Sequence, residues 1–266
     1  MRRKLLIIIL TVALFVGAAV LGVSATFRVD TVTLNSSEIS QPAKAEAGEL
    51  LKRLEGVYLE ESIFTVKQSD ADGVLAEFPY FRITSFKRSY PNRVIISIAE
   101  GEEVFAVEGA NEQGEYFILN SEGTVLGVRA DKNNRLDGKR NVLLKGYTCF
   151  GGKGEMLAGD IALAPTLELC LGISQRLNGI RGNVEYVEVV AKTGTEDGIV
   201  LMLQMQEGVK LDVYAVERNT QEKAAKAVEA YLSLSVNERI SGHLMVYENA
   251  DGEVMSVYRP DGGLPS

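Results

Sequence analysis

The stretch Ser89-Tyr90-Pro91-Asn92-Arg93-Val94-Ile95-Ile96-Ser97-Ile98-Ala99-Glu100 decides how the first globular part of this chain is read. Val94, Ile96 and Ile98 recur at every second position, the period of a strand with one face buried. Ser89–Asn92 has turn chemistry, because proline fixes φ and asparagine tolerates a tight bend. Phe81–Arg88, with Ile83, then reads as the strand on the other side of that turn. Working back, Pro79 stops a short helix that opens with Ser69-Asp70-Ala71-Asp72, a capping-box pattern, and carries Ala71, Val74, Leu75 and Phe78 on one face. A longer helix begins at Ser40, with Pro42 in its first turn. Ala43, Ala47, Leu50, Leu51 and Leu54 form its apolar stripe and Gly56 is its expected end. Phe27–Leu34 is rich in β-branched residues and reads as a strand. The order is strand, helix, helix, strand, strand, and two helices on one sheet face would bury both stripes. Leu50, Leu54, Leu75, Phe78, Ile83, Ile96 and Ile98 are the expected core.

Further back, Leu5–Val23 contains no charge, and Arg2, Arg3 and Lys4 precede it. About 19 helical residues extend roughly 29 Å, the thickness of a bilayer's hydrocarbon core. The positive-inside rule then leaves residues 1–4 cytoplasmic and the rest outside. A cleaved secretory signal ending near Val23-Ser24-Ala25 is the competing reading, but a signal's apolar core usually runs only about 7–15 residues. From Ser24 onward the chain has 25 basic and 36 acidic residues, a balance unsuited to nucleic acid or anionic lipid.

The resemblance that organises these observations is to the FtsQ/DivIB family of bacterial cell-division proteins and their POTRA domain. It is carried by Phe27-Arg28-Val29-Asp30-Thr31-Val32, Gly56-Val57-Tyr58, Ser62-Ile63-Phe64-Thr65-Val66, Pro79 and Lys87–Glu100. Tyr116-Phe117-Ile118-Leu119-Asn120-Ser121-Glu122-Gly123-Thr124-Val125 is similar to a further family stretch. Departures are Asn120 where the family usually has Asp, and Gly101 and Glu103 where Arg and Pro are common. The resemblance implies a non-catalytic divisome scaffold at the septum, without cofactor or metal. Its implied partners are FtsB/DivIC-like and FtsL-like bitopic proteins and the septal peptidoglycan synthesis complex, with residues 5–23 in the bilayer. An envelope-anchored POTRA protein in transport or chaperoning is the alternative, although such proteins usually carry several POTRA copies and a barrel.

Downstream of Glu100, short strands are expected at Val104–Val107, Tyr116–Asn120, Val125–Val128, Val142–Leu144, Val184–Val190, Ile199–Gln206 and Val209–Val216. Helices are expected at Ile161–Leu177 and after Asn219 or Thr220. A final hairpin reads His243–Glu248, Asn249-Ala250-Asp251-Gly252, Glu253–Arg259. The expected fold is therefore α+β: cytoplasmic residues 1–4, a transmembrane helix over 5–23, a POTRA domain (β-α-α-β-β) over 27–100, a mostly antiparallel β domain with flanking helices over 101–260, and a disordered tail over 261–266.

A terminal strand leaves one row of backbone groups unpaired, a template for an added strand. By resemblance the partner-binding residues are Leu244, Val246, Val254, Ser256, Tyr258 and Arg259, with Met245 where the family often has Asp. Enzyme chemistry finds little footing. Gly151-Gly152-Lys153-Gly154 lacks phosphate-loop spacing, and the Ser-x-x-Lys and Gly-x-Ser-x-Gly motifs are absent. Glu60-Glu61 and Glu102-Glu103 read as solvated surface acids. His243, the one histidine, reads as a strand surface residue without a nucleophile. Cys149 and Cys170 are either a disulfide or two unpaired thiols, since spacing does not test the geometry.

Overall fold

The computed structural model describes residues 26–36, 39–109, 114–192 and 198–260, together with Val12. The chain divides into two compact units, residues 1–101 and 102–266. In the first, β1 (Thr31–Ser36) precedes α1 (Gln41–Tyr58) and α2 (Gln68–Leu75), then β2 (Phe81–Ser89) and β3 (Arg93–Glu100). The sheet order is β1-β3-β2, with β1 parallel and β2 antiparallel to β3. A parallel pair requires a crossover, and α1 and α2 supply it. Val94, Ile96 and Ile98 of β3 are buried with Ala43, Ala47, Leu50 and Leu54 of α1 and Ala71 and Leu75 of α2; Phe78 and Ile83 are only partly buried at the margin. Leu54→Ala or Ile96→Ala is expected to cost about 2–5 kcal/mol, as large-to-small changes in a packed core do. Denaturant unfolding of the full chain checks this, and a shift below about 1 kcal/mol would contradict the packing.

Local chemistry adjusts the expected boundaries. The Ser40 hydroxyl accepts the Ala43 N–H at 3.2 Å and donates to Glu100 Oε1 at 2.9 Å, while the Ser40 N–H donates to Glu100 Oε2 at 2.7 Å. Glu100 thus ties the end of β3 to the start of α1. Gly56 does not end α1, which continues to Tyr58, whose hydroxyl donates to the Lys67 carbonyl at 2.6 Å. The second helix starts at Gln68, earlier than the Ser69 pattern implied, because Asp70 reaches back to the Lys67 N–H at 3.1 Å.

The second unit corrects the expected fold class. It is a mixed α/β unit built on one nine-stranded sheet, in which antiparallel pairs are joined by parallel ones, rather than a β domain with helices only at its flanks. Its strands are β4 (Phe105–Val107), β5 (Tyr116–Leu119), β6 (Val125–Arg129), β7 (Val142–Lys145), β8 (Val184–Ala191), β9 (Val200–Met205), β10 (Lys210–Val213), β11 (His243–Glu248) and β12 (Val254–Arg259). The order is β12-β11-β10-β9-β8-β7-β4-β5-β6. Three neighbouring pairs, β4/β7, β7/β8 and β10/β11, are parallel. Helices α3 (Leu163–Arg176) and α4 (Thr220–Ser233) make two of those crossovers, and a one-turn α5 (Val236–Arg239) follows α4. Strand periodicity reports which residues are buried but not strand direction; the helix between two strands is what allows parallel pairing.

The fold class also named a transmembrane helix. Among the described residues, no helix is long and apolar enough to cross a membrane, and the stretch expected to do so, Leu5–Val23, lies outside the described residues except for Val12. So does the tail 261–266.

The core of the second unit lies between the sheet and the two longer helices. It includes Phe105, Leu119, Leu144, Val187, Leu203, Val213 and Val246 from strands, with Leu169, Cys170, Ile173, Ala224 and Val228 from helices. Cys149 and Cys170 are both free thiols. Burial pushes them up to about 11 and about 12 respectively, so both stay protonated at neutral pH. Asn120, standing where an Asp is usual in the resembling family, still organises its turn. Its Oδ1 accepts the Glu122 and Thr124 N–H groups at 3.0 and 2.9 Å, an acceptor's role that an amide fills as well as a carboxylate. Glu103 is not a solvated acid but a buried one, 1% exposed, gripped by Arg129 through bonds of 2.9 and 2.6 Å.

Candidate partner-docking edge

β12 is the terminal strand of the sheet, hydrogen-bonded to β11 on one side only. The turn before it is built by its own residues. Asn249 Oδ1 accepts the N–H groups of Asp251 and Glu253 at 3.0 and 2.9 Å, and the Gly252 N–H closes onto the Asn249 carbonyl at 3.0 Å. Gly252 has φ 82°, which favours glycine. Asn249 and Glu253 form a hydrogen-bonded step, the Asn249 N–H donating to the Glu253 carbonyl at 2.9 Å.

That step fixes which backbone groups face outward, because hydrogen-bonded and non-bonded pairs alternate along an antiparallel ladder. Met255, Val257 and Arg259, opposite Tyr247, Met245 and His243, direct their N–H and C=O to β11. Val254, Ser256 and Tyr258 direct theirs away from the sheet, where no strand of the described residues pairs with them. The far side of β11 agrees: the Val246 carbonyl accepts the Tyr214 N–H, pointing to β10 at 2.9 Å.

The side chains follow the opposite logic. Val254 is buried in the core and Tyr258 packs against it, while Ser256 between them is half-buried. Leu244 and Val246 are fully enclosed core residues. The expected side chains at Leu244, Val246 and Val254 therefore hold the strand in place rather than present a surface; only backbone is available to a partner at Val254. The exposed side chains belong to Met255 (40%) and Val257 (38%), which the sequence reading did not select. Arg259 is half-buried on their face. Both parities contain apolar residues, so alternation alone did not distinguish them. The longer anchor was Tyr258, whose hydroxyl donates to the Ser241 carbonyl at 3.0 Å.

Two polar clusters brace the hairpin. At its base, His243 Nδ1 contacts the buried Asp212 carboxylate on the parallel neighbour β10, so His243 is a paired group rather than a free surface residue. Gly242 lies where an added Cβ would come within 2.7 Å of the Arg259 carbonyl, a close approach that only glycine allows. At the turn end, fully buried Lys223 of α4 donates to the Ala215 carbonyl at 2.6 Å and reaches Glu248 at 3.4 Å, while Asn219 donates to the same carboxylate at 2.9 Å. Burial lowers the Lys223 ammonium from its ordinary value, against the attraction of Glu248 and Glu217.

No protein-family model matches this chain, and no curated protein matches it in sequence. Function is therefore argued from the edge and from the residues.

Proposed function

We propose that this chain is a non-catalytic scaffold of the bacterial cell-division machinery, whose β12 edge receives a strand from a partner. The observation that carries the reading is the row of outward backbone groups at Val254, Ser256 and Tyr258. Such a row gives affinity through main-chain hydrogen bonds, with specificity left to the flanking side chains. The FtsQ/DivIB resemblance, spread collinearly from Phe27 to Val125, supports the cellular setting. The partners it suggests are FtsB/DivIC-like and FtsL-like proteins, acting on septal peptidoglycan synthesis. The uncharged Leu5–Val23 behind Arg2, Arg3 and Lys4 supports a membrane-tethered protein with its globular units outside the cytoplasm.

A fluorescent fusion of the full chain in dividing cells tests this proposal. A band at mid-cell is the expected result; uniform envelope fluorescence through division would refute the divisome assignment.

A further inference from the structure

The second unit contains a cleft of about 490 Å³ between the start of β4, the C-terminal half of α3 and the loop that follows it. This size is typical of small-molecule sites. Its apolar wall is made by Val104, Phe105, Leu171 and Ile180. Arg181, Glu102, Asp137 and Lys139, two cations and two anions, also line it.

Arg181 is mostly buried and held on both sides. Its Nη1 donates to Glu102 at 3.1 Å, and its Nη2 donates to the two Asp137 oxygens at 2.8 and 2.6 Å. Partial burial would raise the Asp137 carboxyl, but the Lys139 N–H and the Arg181 guanidinium outweigh it and leave the group below the usual carboxylate range. Arg181 Nε is buried and has no hydrogen-bond partner. A buried donor without a partner is uncommon in folded proteins and points to a group supplied from outside the fold. The side chains of Ser121, Ser174 and Asn178 also line the cleft and make no hydrogen bond among the described residues.

These features select a ligand class. An anion would meet Glu102 and Asp137, and a cation would meet Lys139 and an Arg181 already paired with both acids, so the charges of the lining balance. Besides the donors Arg181 Nε and Lys139 Nζ, the uncommitted groups are hydroxyls and an amide, which both donate and accept. A sugar ring has the matching surface, with one C–H face for the apolar wall and a rim of hydroxyls. We infer that this cleft binds a neutral saccharide of one or two rings. The inference stands apart from the docking edge and does not depend on it.

The test uses the full chain, ¹⁵N-labelled, in a detergent without a sugar headgroup. N,N′-diacetylchitobiose is the saccharide probe and N-acetylalanine the anionic one. Saturable amide shifts at Gly179, Gly182 and Ser121 with the disaccharide, and none with N-acetylalanine, are expected. Asn178→Gly, which keeps the left-handed backbone (φ 56°), and Ser174→Ala together should weaken that binding about tenfold, the effect of losing one or two net hydrogen bonds, with thermal unfolding little changed. No saturable shift at the highest soluble disaccharide concentration would overturn the inference. So would tighter binding of N-acetylalanine, which would make the cleft an anion site. Unchanged affinity in the folded double variant would also overturn it.

Discussion

Arg129→Ala is expected to destabilise the second unit by about 3–5 kcal/mol, the effect of removing the arginine that pairs with a buried carboxylate. Glu103 is nearly inaccessible, and its two oxygens receive the Arg129 Nη1 and Nη2 at 2.9 and 2.6 Å. The Arg135 N–H at 3.1 Å and Asn141 Nδ2 at 3.3 Å also reach this carboxylate, while Asn134 donates to the Glu103 carbonyl at 2.9 Å. Arg129 also bonds the carbonyls of Asp131 and Asn133. It therefore fastens the 131–141 loop to the strand leading into β4. Removing it takes a bidentate cationic partner from a nearly inaccessible carboxylate, a loss that the remaining bonds offset only in part. Domains have about 5–15 kcal/mol of stability in all, so the urea midpoint should fall markedly with little change in slope. The comparison is Arg53→Ala, which breaks an exposed pair with Glu77 at 3.2 Å and should shift the midpoint hardly at all. Equal shifts for the two variants would show that the Glu103 cluster contributes no more than a surface pair. Adding Glu103→Gln to Arg129→Ala should recover part of the loss, because it removes the charge that Arg129 paired.

The same cluster shows what the sequence could not yield. Glu102 and Glu103 are adjacent and identical in type, yet one bonds an arginine at the cleft and the other is buried. Their partners, Arg181 and Arg129, lie 79 and 26 positions away. No local pattern announces such a pairing. By contrast, Val94, Ile96 and Ile98 were legible because the alternation that marks a half-buried strand is local. Helices α1 and α2 were legible from their stripes, with errors of one to three residues at the ends: Asp70 and Tyr58 make bonds that spacing does not encode, and α2 stops at Leu75, short of Phe78 and Pro79. Strand direction in the second unit was hidden for a related reason. β10 and β11 look like any alternating strands, and only the intervening α4 allows them to run parallel.

The edge was legible as a position but not as a surface. A hairpin at the end of a chain invites an edge strand, and β12 is one. Which face of β12 is exposed depends on how α4 packs, and on small contacts such as Tyr258 to Ser241. Those contacts turn Tyr258 inward and leave Met255 and Val257 outside. The half-buried Tyr258 ring also supports the strand, so Tyr258→Ala should loosen it along with any binding it changes.

Ser256→Pro is expected to abolish strand addition, lowering partner affinity at least about 100-fold while the second unit stays folded. The argument is one of hydrogen-bond direction. Ser256 is the central residue of the outward parity, so its N–H serves no partner within the ladder. Proline there removes a donor that folding does not use, and natural sheets accept proline on edge strands for that reason. An incoming strand, however, would lose a main-chain bond and meet the pyrrolidine ring, which disrupts its approach to Val254 and Tyr258 as well. Val257→Pro is the opposite case. Its N–H faces Met245 on β11, so the same residue one position on should break the hairpin and unfold the end of the sheet. Circular dichroism of both full-length variants reads the folding half of the prediction, and pull-down with purified FtsB/DivIC-like partner segments reads the other. Undiminished binding by a folded Ser256→Pro protein would show that no strand is added at β12. The exposed Met255 and Val257 side chains, on the face away from the helices, would then be the surface to substitute next.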